Sequence, residues 1–511
     1  MPSQDEQIAE LTRQLTWANL KIQLLEERLR LARIKKYGPA SEKLSDAQLD
    51  LLEQEPGVSD AEVEAESGRE PLAASGPEGT PAPGPLGPKR PAKKHPGRQE
   101  LPAGLPRRER VIACAPEQCR CQACGQATVV IGYEESAQLD VEPAQYFVLV
   151  TKREKRACQA CGGNGVAAAP APARIVEKGL VSDRVVIDTL VAKYSDHLPL
   201  YRQSAILERE TGVEIGRATM DGWVMRVGEL LIPMVAVMGR ELVGGSYIQA
   251  DETPVDVQMH DGRGRNHQAY LWQYGRPGGA VVFDFRLGRG REGPLEFLGN
   301  FAGLLQTDGY AAYDRVGGPG LVHSACWSHA RRKFFEALKL HPNDEKARRV
   351  VVAIDDLFAI DAAARERNLD HAARHALRWA EARPVLDIIR QRVEEAQASA
   401  LPASALGRAA KYTLALWPRL TCFLEYPELE LSNNLAENSM RPVALGRKNW
   451  IHVGSKEAGP KVAAILSVIE TCRRRHIPVR DYLAAVLPGL ADVPVLHLAE
   501  LTPMAWAARN R

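Results

Sequence analysis

The run SYIQADETPVDV, Ser246–Val257, is followed closely by QAYLWQYGR, Gln268–Arg276, and AVVFDFRL, Ala280–Leu287. All three are rich in β-branched and aromatic residues, so together they predict a three-strand meander. Beyond them GPLEFLGNF predicts a helix and GLLQTDGYAAY, Gly303–Tyr313, a buried strand ending in an acid. LVHSACWSHARRKFFEAL, Leu321–Leu338, predicts a strand that runs into a basic helix. The order β-β-β-α-β-α-β-α predicts a mixed sheet flanked by helices. Alternation in the first strand sends Ile248 and Ala250 to one face and Gln249 and Asp251 to the other, which turns Asp251 out of an apolar layer into a cleft. Asp308 ends the fourth strand. An Asp before Gly is also an ordinary turn former, and Glu252 competes with Asp251.

Further on, LSNNLAENSMRPVALGRKNW, Leu431–Trp450, sets one carboxylate, Glu437, inside a positive field. A helix capped at Ser432-Asn433-Asn434 is expected, with Glu437 and Arg441 in the favourable i,i+4 order and Pro442 bending or stopping the helix soon after Arg441. If that helix carries Glu437 to the strand ends bearing Asp251 and Asp308, three carboxylates converge. Such a set suits Mg²⁺ or Mn²⁺ with open coordination positions, the chemistry of phosphoryl transfer. The cations then acquire a use: Arg441, Arg447, Lys448 and Lys461 hold a nucleic-acid backbone, and Arg331 and Arg332 contact phosphate. His329 is an accessory residue near the reacting phosphate. Each also fits a solvated helix face, and His329 a structural role. Helical sequence from about 340 to 426 reads as an insertion. KVAAILSVIETCRRRHIPVRDYLAAVL reads as two helices broken at Ile477-Pro478 and used for packing.

The whole chain, 511 residues with 45% apolar and 25% charged content, leaves room for roughly two to four domains. Ile8, Leu11, Leu15, Ala18, Ile22, Leu25, Leu29 and Ala32 form a heptad seam, which predicts a coiled coil and self-association, hence a homo-oligomer. The seam ends at Tyr37-Gly38-Pro39. The Pro, Gly, Ala and Glu-rich stretch from Pro56 to Pro106 predicts a flexible linker, with the basic block Lys89–Arg110 as its end or as a phosphate-contacting arm. Cys121 and Cys124, then Cys158 and Cys161, form two C-x2-C knuckles at the spacing of a structural Zn²⁺ ribbon. Cys114 and Cys119 are substitutes. YFVLVTKRE between the knuckles predicts a strand. YRQSAILERETGVEIGRATMDGWVMRVGELL predicts two helices about Thr211-Gly212-Val213, either a helix-turn-helix with Arg217 reaching DNA or a packing hairpin. MPSQDEQIAE lacks a signal-peptide pattern, and no run near twenty apolar residues is expected, which points to the cytoplasm and no membrane. The expected divisions are 1–37 coiled coil, 38–110 linker, 111–172 zinc ribbon, 173–243 helix-turn-helix region, 244–475 catalytic domain with the insertion, and 476–511 helical tail.

ADETPV at Asp251, LQTDGYAAY at Asp308, CWSHARRKFFEA at Cys326 and SNNLAENSMRPVALGRKNW around Glu437 resemble the DDE transposases of the insertion sequence 66 family. KYSDHLPLYRQ from Lys193, the paired CxxCG-type knuckles and YGPASEKL extend the resemblance over nearly the whole chain. It implies a multidomain α/β protein with an RNase H-like catalytic domain, preceded by coiled coil, zinc ribbon and helix-turn-helix. It further implies a bacterial, nucleoid-associated enzyme that binds element ends and catalyses metal-dependent cutting and strand transfer into target DNA, with small accessory proteins from the same element as partners. Asp251, Asp308 and Glu437 would be its catalytic acids. Asn438 stands where many members carry Arg, which removes one auxiliary phosphate contact. The rival reading is a DNA-binding regulator or inactive transposase remnant. A glycosidase, with paired carboxylates, would surround its acids with aromatic platforms instead of Arg and Lys.

Overall fold

The computed structural model describes residues 11–16, 18–19, 21–22, 25–26, 28–29, 126, 146–157, 166–259, 262 and 264–510. The cysteines at 114, 119, 121, 124, 158 and 161 and the 38–110 linker lie outside the described residues. Two units are distinguished, residues 1–78 with 151–511, and residues 79–150. The described residues between 11 and 29 are helical, and Leu11, Leu15, Ile22, Leu25 and Leu29 of the expected seam are each more than half exposed. The strand expected over YFVLVTKRE does not form: residues 146–154 are irregular, and Phe147 and Val148 are exposed. Pairing starts after that stretch, between β1 (Lys155–Ala157) and β2 (Val166–Ala168), antiparallel.

Three helices follow, α1 (Asp183–Tyr194), α2 (Leu200–Thr211) and α3 (Arg217–Val243). Gly212, in the left-handed region at φ 71, ends α2 where a side chain would be strained. The expected turn is therefore present, but α3 is 27 residues long instead of a short second helix. Contrary to the reading that no run approaches membrane-spanning length, α3 passes that test by length and composition, with a mean hydropathy of 1.4. Its apolar character has another explanation: Met220, Trp223, Val227, Leu231, Met234 and Met238 are buried in the main core.

The meander expected from the opening motif forms as β3 (Tyr247–Val257), β4 (His267–Gly275) and β5 (Val281–Arg286). After α4 (Glu292–Leu298), β6 (Leu304–Thr307) and β7 (Val322–Ala325) complete a sheet of order β5-β4-β3-β6-β7. β5, β4 and β3 pair antiparallel, whereas β3, β6 and β7 pair parallel. The helix expected between the last two strands is absent. A three-residue 3-10 turn, Ala311–Tyr313, stands there, because Gly317, Gly318, Pro319 and Gly320 leave no run long enough to propagate a helix.

Basic helix α5 (Trp327–Leu340) leads into the insertion, formed by α6 (Glu345–Glu366), α7 (His371–Leu377), α8 (Arg383–Ser399) and α9 (Ala405–Ala415). Then come α10 (Asn434–Trp450), α11 (Ala458–Arg474), α12 (Val479–Val486) and α13 (Pro503–Arg509). α10 does not stop at Pro442. The missing amide costs a hydrogen bond, but Met440, Val443 and Gly446 are buried on either side of it, and their packing carries the helix through. The core between α1, α3, α11, α12 and one sheet face contains Val227, Ile248, Ala250, Phe283, Ile465 and Tyr482. It thus draws on residues from all three expected divisions 173–243, 244–475 and 476–511. A second core joins Tyr247, Leu304 and Ala325 on the other face to Trp327, Phe334, Ile354 and Ile389 of the insertion side.

Candidate active site

Asp251 sits in β3, opposite Gln273 of β4, on the same face as Tyr247 and Gln249. Its Oδ1 accepts from the Glu252 amide at 2.9 Å. Burial raises its pKa well above the ordinary carboxylate value, and the charges of Glu437, Glu252 and Asp308 push it further in the same direction. Three acids separated by up to 186 positions (437 − 251 = 186) therefore share one electrostatic neighbourhood. Asp308 follows β6 directly. Its Oδ1 accepts from the Tyr310 amide at 2.8 Å, so the turn-former role is real, and the Tyr412 hydroxyl donates to its carbonyl at 2.5 Å. Gly309 has φ +87, and a Cβ there would meet Leu416 Cδ1 at 2.5 Å, so only glycine lets the chain leave Asp308 along this path.

Glu437 lies in the first turn of α10. The expected side-chain cap is not made; instead the Asn433 amide group donates to the Ala250 carbonyl at 3.4 Å, which ties the start of α10 to the residue before Asp251. The segment before it is held by a buried polar seam. Gln249 donates to the Ser432 carbonyl at 3.0 Å and Gln306 to the Glu430 carbonyl at 2.6 Å, while the Tyr247 hydroxyl donates to Gln306 Oε1 at 2.5 Å. The Glu430 carboxylate is clamped in turn by Arg374 at 3.0 Å and Arg365 at 3.2 Å. Thus β3, β6 and the insertion together set where Glu437 emerges. Gln306 and Tyr412 carry no signal in the sequence, because an isolated Gln or Tyr has no spacing pattern.

Glu437 Oε2 pairs with Arg332 at 3.3 Å and Oε1 lies 3.4 Å from His329 Nδ1. Among the described residues, the His, Cys, Asp and Glu group whose ligating atoms all lie within 4.8 Å of one another is Cys326, His329 and Glu437. The Cys326 thiol is pushed up to about 12 by burial and then by the Glu437 charge. Glu252, the competing acid, is engaged by Arg289 at 2.7 Å and by the Tyr313 hydroxyl at 3.0 Å; burial raises its pKa.

The predicted phosphate contacts divide. Arg332 pairs with Glu437, and Arg217, Arg441 and Lys448 are exposed. Arg331 is spent on Asp355, at 2.5 and 3.2 Å, and Arg447 donates to Thr253 Oγ1 at 3.0 Å and the Pro254 carbonyl at 2.6 Å, fastening α10 to β3. Lys461 lies away from the acids, 3.9 Å from Glu229, in a cleft of about 290 Å³ with Lys193, Tyr194, Asp221 and Trp450.

The family model described as Transposase IS66 family matches residues 178–461, which span the sheet, the insertion and all three acids. The chain belongs to the IS66 transposase family. Two further models match this family member in the order expected: one described as transposase C of IS166 homeodomain at residues 24–110, and one as the zinc-finger binding domain of transposase IS66 at residues 118–162. The latter supports Zn²⁺ as a constituent and contains Cys119, Cys121, Cys124, Cys158 and Cys161. Curated relatives include the uncharacterized protein y4qI of Sinorhizobium fredii, 31% identical over 80% of this chain and 77% of the relative. The uncharacterized protein y4jD of the same organism is 32% identical over 80% and 82%.

Proposed function

We propose that this IS66-family member is a DNA transposase that cuts element ends and joins them to target DNA through Asp251, Asp308 and Glu437. The observation that carries the reading is that the charges of Glu437 and Asp308 both act on buried Asp251, with Arg332 paired to Glu437 at 3.3 Å. A mixed sheet with three antiparallel strands followed by two parallel ones supports an RNase H-like catalytic domain.

Carboxylate oxygens are the donors a hard divalent cation takes, although the ligating atoms of Asp251, Asp308 and Glu437 do not all lie within 4.8 Å of one another in this structure. Burial, and then the charges of Glu437, Glu252 and Asp308, raise the pKa of Asp251, and a bound cation relieves that cost. Asp251, Asp308 and Glu437 would hold Mg²⁺ or Mn²⁺, which when bound supplies Lewis-acid stabilisation and a more acidic attacking oxygen. The chain's own groups do the rest. Arg332 orients Glu437 through its ion pair, and its charge is placed to receive a phosphate oxygen. Asn433 and the Gln249–Gln306 seam hold α10 in register with β3, so the acids need little reorganisation when DNA arrives. Exposed Arg217, Arg441 and Lys448 extend a positive surface for backbone phosphates. The helical hairpin α2–α3 supplies an element end reader through the exposed start of α3, while the N-terminal seam drives homo-oligomerisation and Cys121, Cys124, Cys158 and Cys161 are the Zn²⁺ ligands.

The test uses an oligonucleotide bearing the element end, with Mg²⁺ or with chelator. Asp251→Asn, Asp308→Asn and Glu437→Gln should each abolish cleavage and leave end binding intact. Cleavage surviving in any of the three removes that residue from the assignment, and end binding without any cation-dependent nicking by the wild type supports the non-catalytic regulator instead.

A further inference from the structure

Cys326 and His329 lie one helical turn apart at the start of α5, and Glu437 lies in the first turn of α10. The two helix starts are fixed together, because the Trp327 amide donates to the Leu431 carbonyl at 2.9 Å. One ligating atom from each of the three residues falls within 4.8 Å of the other two. Cys326 is fully buried. His329 Nδ1 and Glu437 Oε1 face each other at 3.4 Å, both cut off from solvent, and neither makes a hydrogen bond. A nitrogen and an oxygen left this way beside a thiol are polar atoms lacking a common partner.

We propose that Cys326, His329 and Glu437 form a site for a zinc-class divalent ion, distinct from the hard-cation site of the three acids and sharing only Glu437 with it. Thiolate, imidazole and carboxylate together are a soft-to-borderline donor set, which zinc and cobalt(II) favour and magnesium does not. Zinc–ligand bonds of about 2.0 to 2.3 Å put tetrahedral ligands roughly 3.3 to 3.8 Å apart, so closure from 4.8 Å needs side-chain movement of about 1 Å. Three protein ligands leave a fourth position open. On binding, the thiol gives its proton to solvent and the sulfur lone pair to the ion. Resting on the catalytic reading, the consequence is regulatory: an ion held here keeps Glu437 turned toward α5, away from Asp251 and Asp308, and opposes the magnesium-dependent reaction.

The binding test needs no activity. The full-length chain, purified with its cysteine-rich segment zinc-loaded, is titrated with cobalt(II) alone while thiolate-to-cobalt charge-transfer absorption is followed. The wild type should develop the band, Cys326→Ser should lose it, and Cys472→Ser, at another buried thiol, should keep it. His329→Ala, at a partly exposed position, should weaken binding at least about tenfold. A band of equal size in wild type and Cys326→Ser, no band in the wild type, or unchanged affinity in His329→Ala overturns the site. In the second arm, zinc added to magnesium-supported cleavage should inhibit the wild type far more than Cys326→Ser. Equal inhibition with a positive binding arm overturns the sharing of Glu437. A wild type that cleaves nothing refutes the catalytic reading and the regulatory consequence with it, while the cobalt titration still decides the site.

Discussion

Arg374→Met tests whether the buried charge cluster of the insertion positions the catalytic helix. Arg374 and Arg378 are each 1% exposed, Asp361 2% and Glu430 1%, so this is an ion network without solvent screening. Arg374 meets Asp361 at 2.9 Å and Glu430 at 3.0 Å. Without it, Glu430 keeps Arg365 at 3.2 Å, and Asp361 keeps Arg378 at 2.7 Å and Arg365 at 3.5 Å. Deleting one partner of a buried pair costs about 3–5 kcal/mol, and since both acids retain a cation the lower end, roughly 3 kcal/mol, is expected. The pH dependence carries a sign. Burial by itself raises the pKa of Asp361, but Arg374, Arg378 and Arg365 outweigh it and hold it far below the usual carboxylate range. Its stabilisation is therefore present above the unfolded value of about 3.9 and is lost as pH falls through the folded value. Without Arg374 the folded value rises, so the loss on acidification begins at higher pH. Urea unfolding followed by tryptophan fluorescence, through Trp327 and Trp417 of the second core, reads both effects. A loss below about 1 kcal/mol at neutral pH, the worth of a surface pair, refutes the reasoning. In the folded variant cleavage should also fall, because Glu430 leads into α10; full cleavage would mean that the network stabilises the insertion without positioning Glu437.

Asp251→Asn should stabilise the metal-free protein. Its raised folded pKa makes ionisation costly, so wild-type stability falls relative to the variant as pH rises from about 3.9 through the folded value; melting curves in chelator that show no pH-dependent gap would contradict this. Gly309→Ala forces a side chain into φ +87 and against Leu416, and should cost about 1–3 kcal/mol while displacing Asp308, so cleavage drops more than end binding. Unchanged melting and cleavage would show that the turn relaxes. Leu15→Lys with Leu25→Lys, at exposed seam positions, should lower the mass seen by light scattering, and an unchanged mass would place self-association elsewhere.

Much of this protein is written locally. The meander is readable because β-branched and aromatic runs bounded by glycine make strands wherever they fall, and the Asp308-Gly309 turn is readable because only glycine takes its backbone angle. Family membership is readable too, since the motifs around Asp251, Asp308 and Glu437 are contiguous strings. Other features depend on contacts distant in the chain. Whether α10 would end at Pro442 turned on the burial of Met440, Val443 and Gly446, and whether α3 was a short helix or a long core helix turned on what packs along its length. Arg331 and Arg447 look like free cations in sequence, yet Asp355 and the Thr253-Pro254 backbone claim them. The meeting of Glu437 with Arg332, His329 and Cys326 belongs to tertiary structure alone: a side chain's charge and ligand chemistry are local, but the partners that use them are chosen by which helices the two cores bring together.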